Sequence, residues 1–437
     1  MLNGPFSPWP SFNEEEALAV QRVLLSNKVN YWTGQEGREF EREFAAFAVT
    51  DFAIAVSNGT TALDLALKGL GIGEGEGRGR DEVIVTSRTF MASASSIVTA
   101  GAVPVFADVD RDSQNITAET VAKKITANTR AILAVHLAGW PCEMGALMAL
   151  AEQHGLYVIE DCAQSHGARY RGCSVGSIGH VGCWSFCQDK IMTTGGEGGM
   201  VTTSDETLWR KMWAYKDHGK SWEAVYEREH PPGFRWLHES FGTNWRMTEM
   251  QAAIGRIQLT RMPEWKATRQ AYAQRIWQAA DRFRGLRVPA LPAHIEHAAY
   301  KCYVFVEAGA LKPGWNRDRI QAEIAARGVP CFSGSCSEVY LEKAFDGTGW
   351  RPEQPLPVAQ ELGDTSLMFL CHPTLTEAEI DKTCEVLREV MAECTERRVT
   401  RYRLLGKVAS QPAPLLQPRQ SKQPVVETLE TIDTDDE

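Results

Sequence analysis

Two short segments hold the side chains best suited to chemistry: VIEDCAQSHG at 158–167 and WSFCQDKIMTTGGEGGMV at 184–201. Asp161 ends a run of buried-strand character, and in open α/β sheets the carboxyl ends of strands are where ligands bind. Lys190 follows the next such run by a few residues and precedes TTGGEGG, a turn-rich stretch that lets backbone approach a ligand closely. A lysine so placed can form a Schiff base with a carbonyl and afterwards move a proton as base and then acid. An aspartate beside it can hold a protonated ring nitrogen. Either residue alone is more simply a solvated lysine or a helix cap. Their occurrence in order, about thirty residues apart on neighbouring strand ends, favours the chemical reading.

Those two demands are the demands of pyridoxal 5'-phosphate, and two further segments fit it. SNGTTALDLAL at 57–67 turns from a short strand through Gly59 into a helix, whose free N–H groups, with the Thr60 and Thr61 hydroxyls, can seat a phosphate. The same residues also suit an ordinary N-cap. TSRTFMAS puts Phe90 just past a strand end, where its ring could stack on a flat pyridine or start the next helix as a core residue.

The elements that must position these groups follow from periodicity. Apolar runs at 52–56, 82–86, 103–107, 131–136, 157–160, 181–186 and 199–203 read as strands. Helical stretches at 60–69, 91–100, 118–125 and 144–154 lie between them, so a doubly wound, mostly parallel sheet covered by helices is expected. Further on, helices at 248–257 and 263–284, a strand at 303–306 and helices at 315–327 and 377–391 read as a smaller αβ domain. The expected division is 1–260 for the large domain, 261–400 for the small one and 401–437 for a disordered acidic tail. GIGEGEGRGR before Asp81 follows a helix and matches no phosphate-loop pattern, so it reads as a flexible connection.

Composition sets the outer limits. With 437 residues, 43% apolar and 23% charged, the chain has room for more than one core. The net charge of −10 argues against a nucleic-acid surface, although six of the acidic residues fall in the last eleven positions. No apolar run is long enough to span a membrane, and the first residues lack a signal-peptide pattern, so a cytoplasmic location is expected. The 11 cysteines show no zinc-ligand spacing, and no metal is expected.

In this order the segments closely resemble the DegT/StrS-type sugar aminotransferases, enzymes of pyridoxal-phosphate fold type I. FEREFA, SNGTTALDLAL, GAVPVFADVD, VHLAGWPCEM, VIEDCAQSHGA, the Lys190 segment and NWRMTEMQAAIG carry the likeness, from about Pro8 to about Val390. The resemblance implies Lys190 as the Schiff-base lysine and Asp161 as the partner of the ring nitrogen. It implies Gln164 at the ring hydroxyl and Gly59, Thr60, Thr61 and Ser185 around the phosphate. Phe90 is then the stacking ring, and Asn244 reaches the phosphate of a neighbouring subunit in a homodimer with shared sites. Tyr31, Trp32 and His218 fall where the family lines its sugar pocket. The implied activity is amino transfer from glutamate or glutamine to a keto-sugar, nucleotide-linked in most of the family, for amino-sugar supply to a surface polysaccharide or glycosylated metabolite. A free keto-sugar or keto-cyclitol acceptor and a non-catalytic regulator are the rival readings, the latter opposed by Lys190. The chain departs from the family in having Ile191 where Asn often follows the lysine, and in CQD before it.

Overall fold

The computed structural model describes residues 5–73, 80–230 and 235–395. The connection at 74–79 and the acidic tail lie outside the described residues. Seven strands form the main sheet: β1 (Phe52–Val56), β2 (Glu82–Thr86), β3 (Val103–Ala107), β4 (Thr129–Val135), β5 (Tyr157–Asp161), β6 (Val181–Ser185) and β7 (Gly199–Thr203). Their spatial order is β1-β7-β6-β5-β4-β2-β3. The pairs β2–β3, β2–β4, β4–β5 and β5–β6 are parallel, whereas β7 runs antiparallel to both its neighbours. Ile132, Leu133, Val158, Ile159, Val83 and Ile84 are fully buried, as continuous apolar runs in a sheet covered on both faces require.

The helix Gly59–Gly69 lies between this sheet and the helix Glu206–Lys216. Its buried residues Leu63, Leu65, Ala66 and Leu67 therefore occupy more than one face. A second, antiparallel sheet has the order β8 (Leu286–Arg287), β9 (Cys302–Val306), β11 (Ser366–Phe369), β10 (Cys331–Phe332). Val304, Val306, Leu367 and Phe369 build a separate core with Ile276 and Trp277 of one helix and Ile380, Leu387 and Met391 of another. Arg88, buried just past β2, joins the two sheets: its Nε donates to Gln114 and its Nη2 to Ser366 of β11, both at 2.9 Å.

The two helices expected at 248–257 and 263–284 are one helix, Glu249–Ala280, which continues through Pro263. Proline inside a helix costs about 3 kcal/mol through a lost hydrogen bond and a clash with the preceding turn. Packing outweighs that here. Ala252 and Ala253 are buried at one end, Ile276 and Ala280 at the other, and a capping box between Thr248 and Gln251 closes the start. The helix at 118–125 is shorter than expected, Ala118–Ala122. No helix among the described residues is long and apolar enough to cross a membrane.

Candidate active site

β5 and β6 are neighbours in register, Asp161 opposite Cys183, so Asp161 and the loop after Ser185 emerge at the same sheet edge. Asp161 is 6% exposed and accepts hydrogen bonds from Ser93 Oγ at 2.8 Å and the Ala163 N–H at 3.1 Å. Burial pushes its carboxyl above the ordinary aspartate range, against the pull of those donors and of Lys190. A carboxylate held this way gains from a cationic partner.

The loop carrying Lys190 is pinned on both sides. Ile191 and Met192 are fully buried, the Thr193 N–H donates to Gln258 Oε1 at 2.8 Å, and Thr193 Oγ1 donates back to the Phe186 carbonyl at 2.9 Å. Gly195 and Gly196 take φ values of +86° and +124°, which side-chain-bearing residues rarely adopt. The Lys190 carbonyl accepts from Trp9 Nε1 at 2.8 Å, which ties the N-terminal segment to the loop. Lys190 Nζ lies 3.6 Å from Asp189 Oδ1, and its side chain is 15% exposed.

The start of the helix Gly59–Gly69 meets the end of β6. A capping box between Asn58 and Thr61 opens the helix Gly59–Gly69. The Thr61 hydroxyl is engaged in that cap, donating to the Asn58 carbonyl at 2.8 Å. The Gly59 and Thr60 N–H groups are left over from it, as orphan donors at a positive helix end. Gly59 also meets Ser185 closely, since a Cβ there would lie 2.6 Å from Ser185 Cβ and 2.9 Å from its Oγ. Only glycine lets the strand end and the helix start meet. Gly59→Ala is accordingly expected to lower cofactor affinity at least tenfold, about 1.4 kcal/mol, measured by titrating pyridoxal phosphate into apoprotein; unchanged affinity would contradict this view of the helix start.

The other residues singled out by sequence fall as follows. Phe90 caps the helix Met91–Thr99 and is 70% exposed at the same edge. Gln164 is half-buried, with Oε1 accepting from the Ala138 N–H at 2.8 Å. Asn244 is exposed and its backbone bridges Asp217. His218 is exposed with φ +58°. Trp32 Nε1 donates to buried Asp217 at 2.7 Å, and Arg246 Nη1 donates to the same carboxylate at 2.6 Å. Tyr31 is 2% exposed, its hydroxyl donates to Glu41 at 2.9 Å, and Lys216 Nζ lies 4.1 Å from its ring centroid. Ser93 was missed by sequence reasoning. Ser93, three residues past Phe90 in the first turn of a helix following a strand end, carried a usable signal.

His136, Glu160 and Cys162 form a buried cluster whose ligand atoms lie within 4.8 Å of one another. Those atoms are in use. Glu160 shares a 2.9 Å hydrogen bond with His136 Nε2 and accepts from the Gly176, Ile178 and Gly179 N–H groups, while His136 Nδ1 accepts from the Cys142 N–H. Burial opposes the charge on Glu160, but His136 and the backbone donors outweigh it and hold the carboxyl below its usual range. The cluster braces β5 directly beneath Asp161. Glu160→Ala leaves His136 Nε2 and the Gly176, Ile178 and Gly179 N–H groups without their acceptor, and a buried polar group so stranded costs about 1 to 3 kcal/mol, so the urea midpoint should fall accordingly. A folded-state pKa depressed below the unfolded value gives stability that is present above the unfolded pKa and is lost as pH falls through the folded one. The deficit of Glu160→Ala against the parent should therefore shrink in acid; a loss below 1 kcal/mol at neutral pH would refute the brace.

Residues 10–388 match the DegT/DnrJ/EryC1/StrS aminotransferase family. A solved aminotransferase from Psychrobacter cryohalolentis is 64% identical, with a TM-score of 0.86 over 89% of this chain and 99% of its own. The dTDP-3-amino-3,4,6-trideoxy-alpha-D-glucose transaminase of Streptomyces venezuelae is 35% identical over 375 residues, 86% of this chain and 92% of that protein. GDP-perosamine synthase of Caulobacter vibrioides is 36% identical over 371 residues, 82% and 92% of the two chains. The chain belongs to the DegT/DnrJ/EryC1/StrS aminotransferase family, and its mostly parallel sheet is that of the fold type I aminotransferases. It is an aminotransferase of a class that works with pyridoxal phosphate.

Proposed function

We propose that this enzyme moves an amino group from glutamate or glutamine to a ketone carbon of a nucleotide-linked sugar, using pyridoxal phosphate carried on Lys190. The observation that bears most weight is the meeting at one sheet edge of Asp161, Lys190 and the Gly59–Ser185 contact. The residues fit the cofactor: a buried carboxylate for its ring nitrogen and a glycine-tight helix start for its phosphate.

When bound, pyridoxal phosphate supplies an electron sink and a carrier for the amino group. Asp161, backed by Ser93, would hold the ring nitrogen. Gly59, Thr60 and Ser185 would hold the phosphate, with Thr61 fixing the helix start through its cap on Asn58; Phe90 would stack on the ring and Gln164 would bond its hydroxyl. Lys190 Nζ would hold the cofactor and, as base and then acid, would move the proton at the substrate carbon. Asn244 would complete the phosphate site of a second copy, making the working unit a homodimer. Trp32 and His218 would border the sugar, whereas Tyr31 supports that wall from behind through Glu41 and Lys216.

The names of two relatives, a dTDP-amino-sugar transaminase and a GDP-perosamine synthase, support a nucleotide-linked acceptor. Amino-sugar supply for a surface polysaccharide or glycosylated metabolite is the corresponding role. A panel of dTDP-, UDP- and GDP-linked 3- and 4-ketosugars, with free keto-sugars and keto-cyclitols as controls, tests the acceptor when each is incubated with 15N-glutamate or amide-15N-glutamine. Mass gain in a nucleotide-linked product is expected; turnover confined to the free ketones would reject the proposal.

A further inference from the structure

Beside Lys190 stands a carboxylate that none of the functions above uses. Asp189 Oδ1 lies 3.6 Å from Lys190 Nζ, and its Oδ2 accepts a hydrogen bond from the Tyr300 hydroxyl. The Tyr300 ring centroid is 5.4 Å from Lys190 Nζ and 4.9 Å from Lys301 Nζ, so a single ring faces two ammonium groups. Asp189 is therefore held by a hydroxyl that is itself firmly placed.

The placement of Tyr300 comes from the turn Leu137–Gly139. Its N–H donates to the Ala138 carbonyl at 3.0 Å, and the Ala298 N–H donates to the Gly139 carbonyl at 2.8 Å. Gly139 has φ +95°, and a Cβ there would lie 2.9 Å from the Ala299 nitrogen, so the turn admits no side chain at that point. Ala138 is also the residue that orients Gln164. One turn thus sets both Gln164 and the hydroxyl that fixes Asp189.

We propose that Asp189, held by Tyr300, is a positioning residue for Lys190, fixing its nitrogen at the sheet edge and setting the pH range over which that nitrogen keeps a proton. The inference rests on Lys190 being the lysine that carries the cofactor. The titratable groups that act on Lys190 are Asp189, Asp161, Lys301, His166 and Cys187, with Arg269 and Cys371 behind Tyr300 and Lys301. Burial pushes His166 down to about 3, so it is neutral, and raises the Cys187 thiol. Burial opposes charge on Asp189, but Lys190, the Tyr300 hydroxyl and Lys301 together bring its carboxyl below the usual range. An ionised carboxylate 3.6 Å away attracts positive charge placed at that nitrogen.

The pH midpoint of the visible band of bound cofactor reads that proton in holoenzyme. Asp189→Asn removes the charge and keeps the shape, so the midpoint should fall by about one unit, the low end of the range for a close opposite charge, because the Asp189 side chain is 53% exposed. Tyr300→Phe removes the hydroxyl that holds the carboxylate beside Lys190, so the midpoint should fall there as well, by less than in Asp189→Asn. Asp189→Glu keeps the charge and should restore most of the parent midpoint, which general loosening of the site would not do. Rescue by glutamate supports the proposal, and an unchanged midpoint in Asp189→Asn, or an equal fall in Asp189→Glu, overturns it. If Asp189→Asn does not fold, a fall in Tyr300→Phe supports the proposal and its absence overturns it. Borohydride reduction of each protein followed by peptide mass spectrometry separates the two levels. An adduct on Lys190 without the midpoint shifts rejects the role of Asp189 alone, and an adduct elsewhere rejects the cofactor assignment with it.

Discussion

Lys190→Ala should lower kcat by about 10⁴-fold or more, since a positioned acid–base group alone contributes up to that factor and the covalent attachment is lost with it. The variant should fold normally. Lys190 is partly exposed, its loop is anchored by Ile191, Met192 and Thr193, and none of these anchors needs the lysine amine. Cofactor should still bind through the helix start at Gly59 and through Asp161, but should exchange freely on dialysis. Single-turnover amine transfer in the variant, compared with the parent at saturating donor, gives the number. A loss below tenfold would mean that another group moves the proton.

Asp161→Asn should reduce kcat by about 10² to 10³-fold with little change in KM, the size expected when one preorganised electrostatic partner of developing charge is removed. Asparagine keeps the shape and can still accept from Ser93, so the loss is one of charge rather than of fold. Burial raises the Asp161 carboxyl, so without a cationic partner it loses its charge at a higher pH than an exposed aspartate would. Retention of cofactor in the parent should accordingly weaken on mild acidification, and this weakening should be absent in Asp161→Asn. Parallel pH titrations of cofactor release from the two proteins check the sign; identical profiles would remove Asp161 from the ring nitrogen.

The sheet could be read closely from sequence because its strands are short β-branched runs bounded by turn residues. β1, β2, β3 and β7 fall on the expected residues. The direction of β7 could not be read, because residues buried on both faces look alike whichever way a strand runs. Pro263 misled for a related reason: local propensity marks a break, while the burial that overrides it is set by residues far away in the chain. The strand Ser366–Phe369 and the helices Glu14–Leu25, Glu36–Ala48 and Pro357–Thr365 were likewise not anticipated.

In the site, groups near a strand end were legible because the sheet edge gathers them. Tyr300 was not, since 110 positions separate it from Lys190 and only the turn at Ala138 brings it there. Tyr31 shows the converse limit. An aromatic near a pocket wall reads the same in sequence whether its hydroxyl faces the ligand or, as here, Glu41.

The central claim is a covalent bond between the cofactor aldehyde and the nitrogen of one lysine. Reducing the holoenzyme with borohydride, digesting it and sequencing the pyridoxyl peptide by mass spectrometry measures it directly. A single modified peptide is expected, with the mass increment on Lys190; a label on Lys216, Lys220 or Lys301 instead, or no labelled peptide from coloured protein, would contradict that bond.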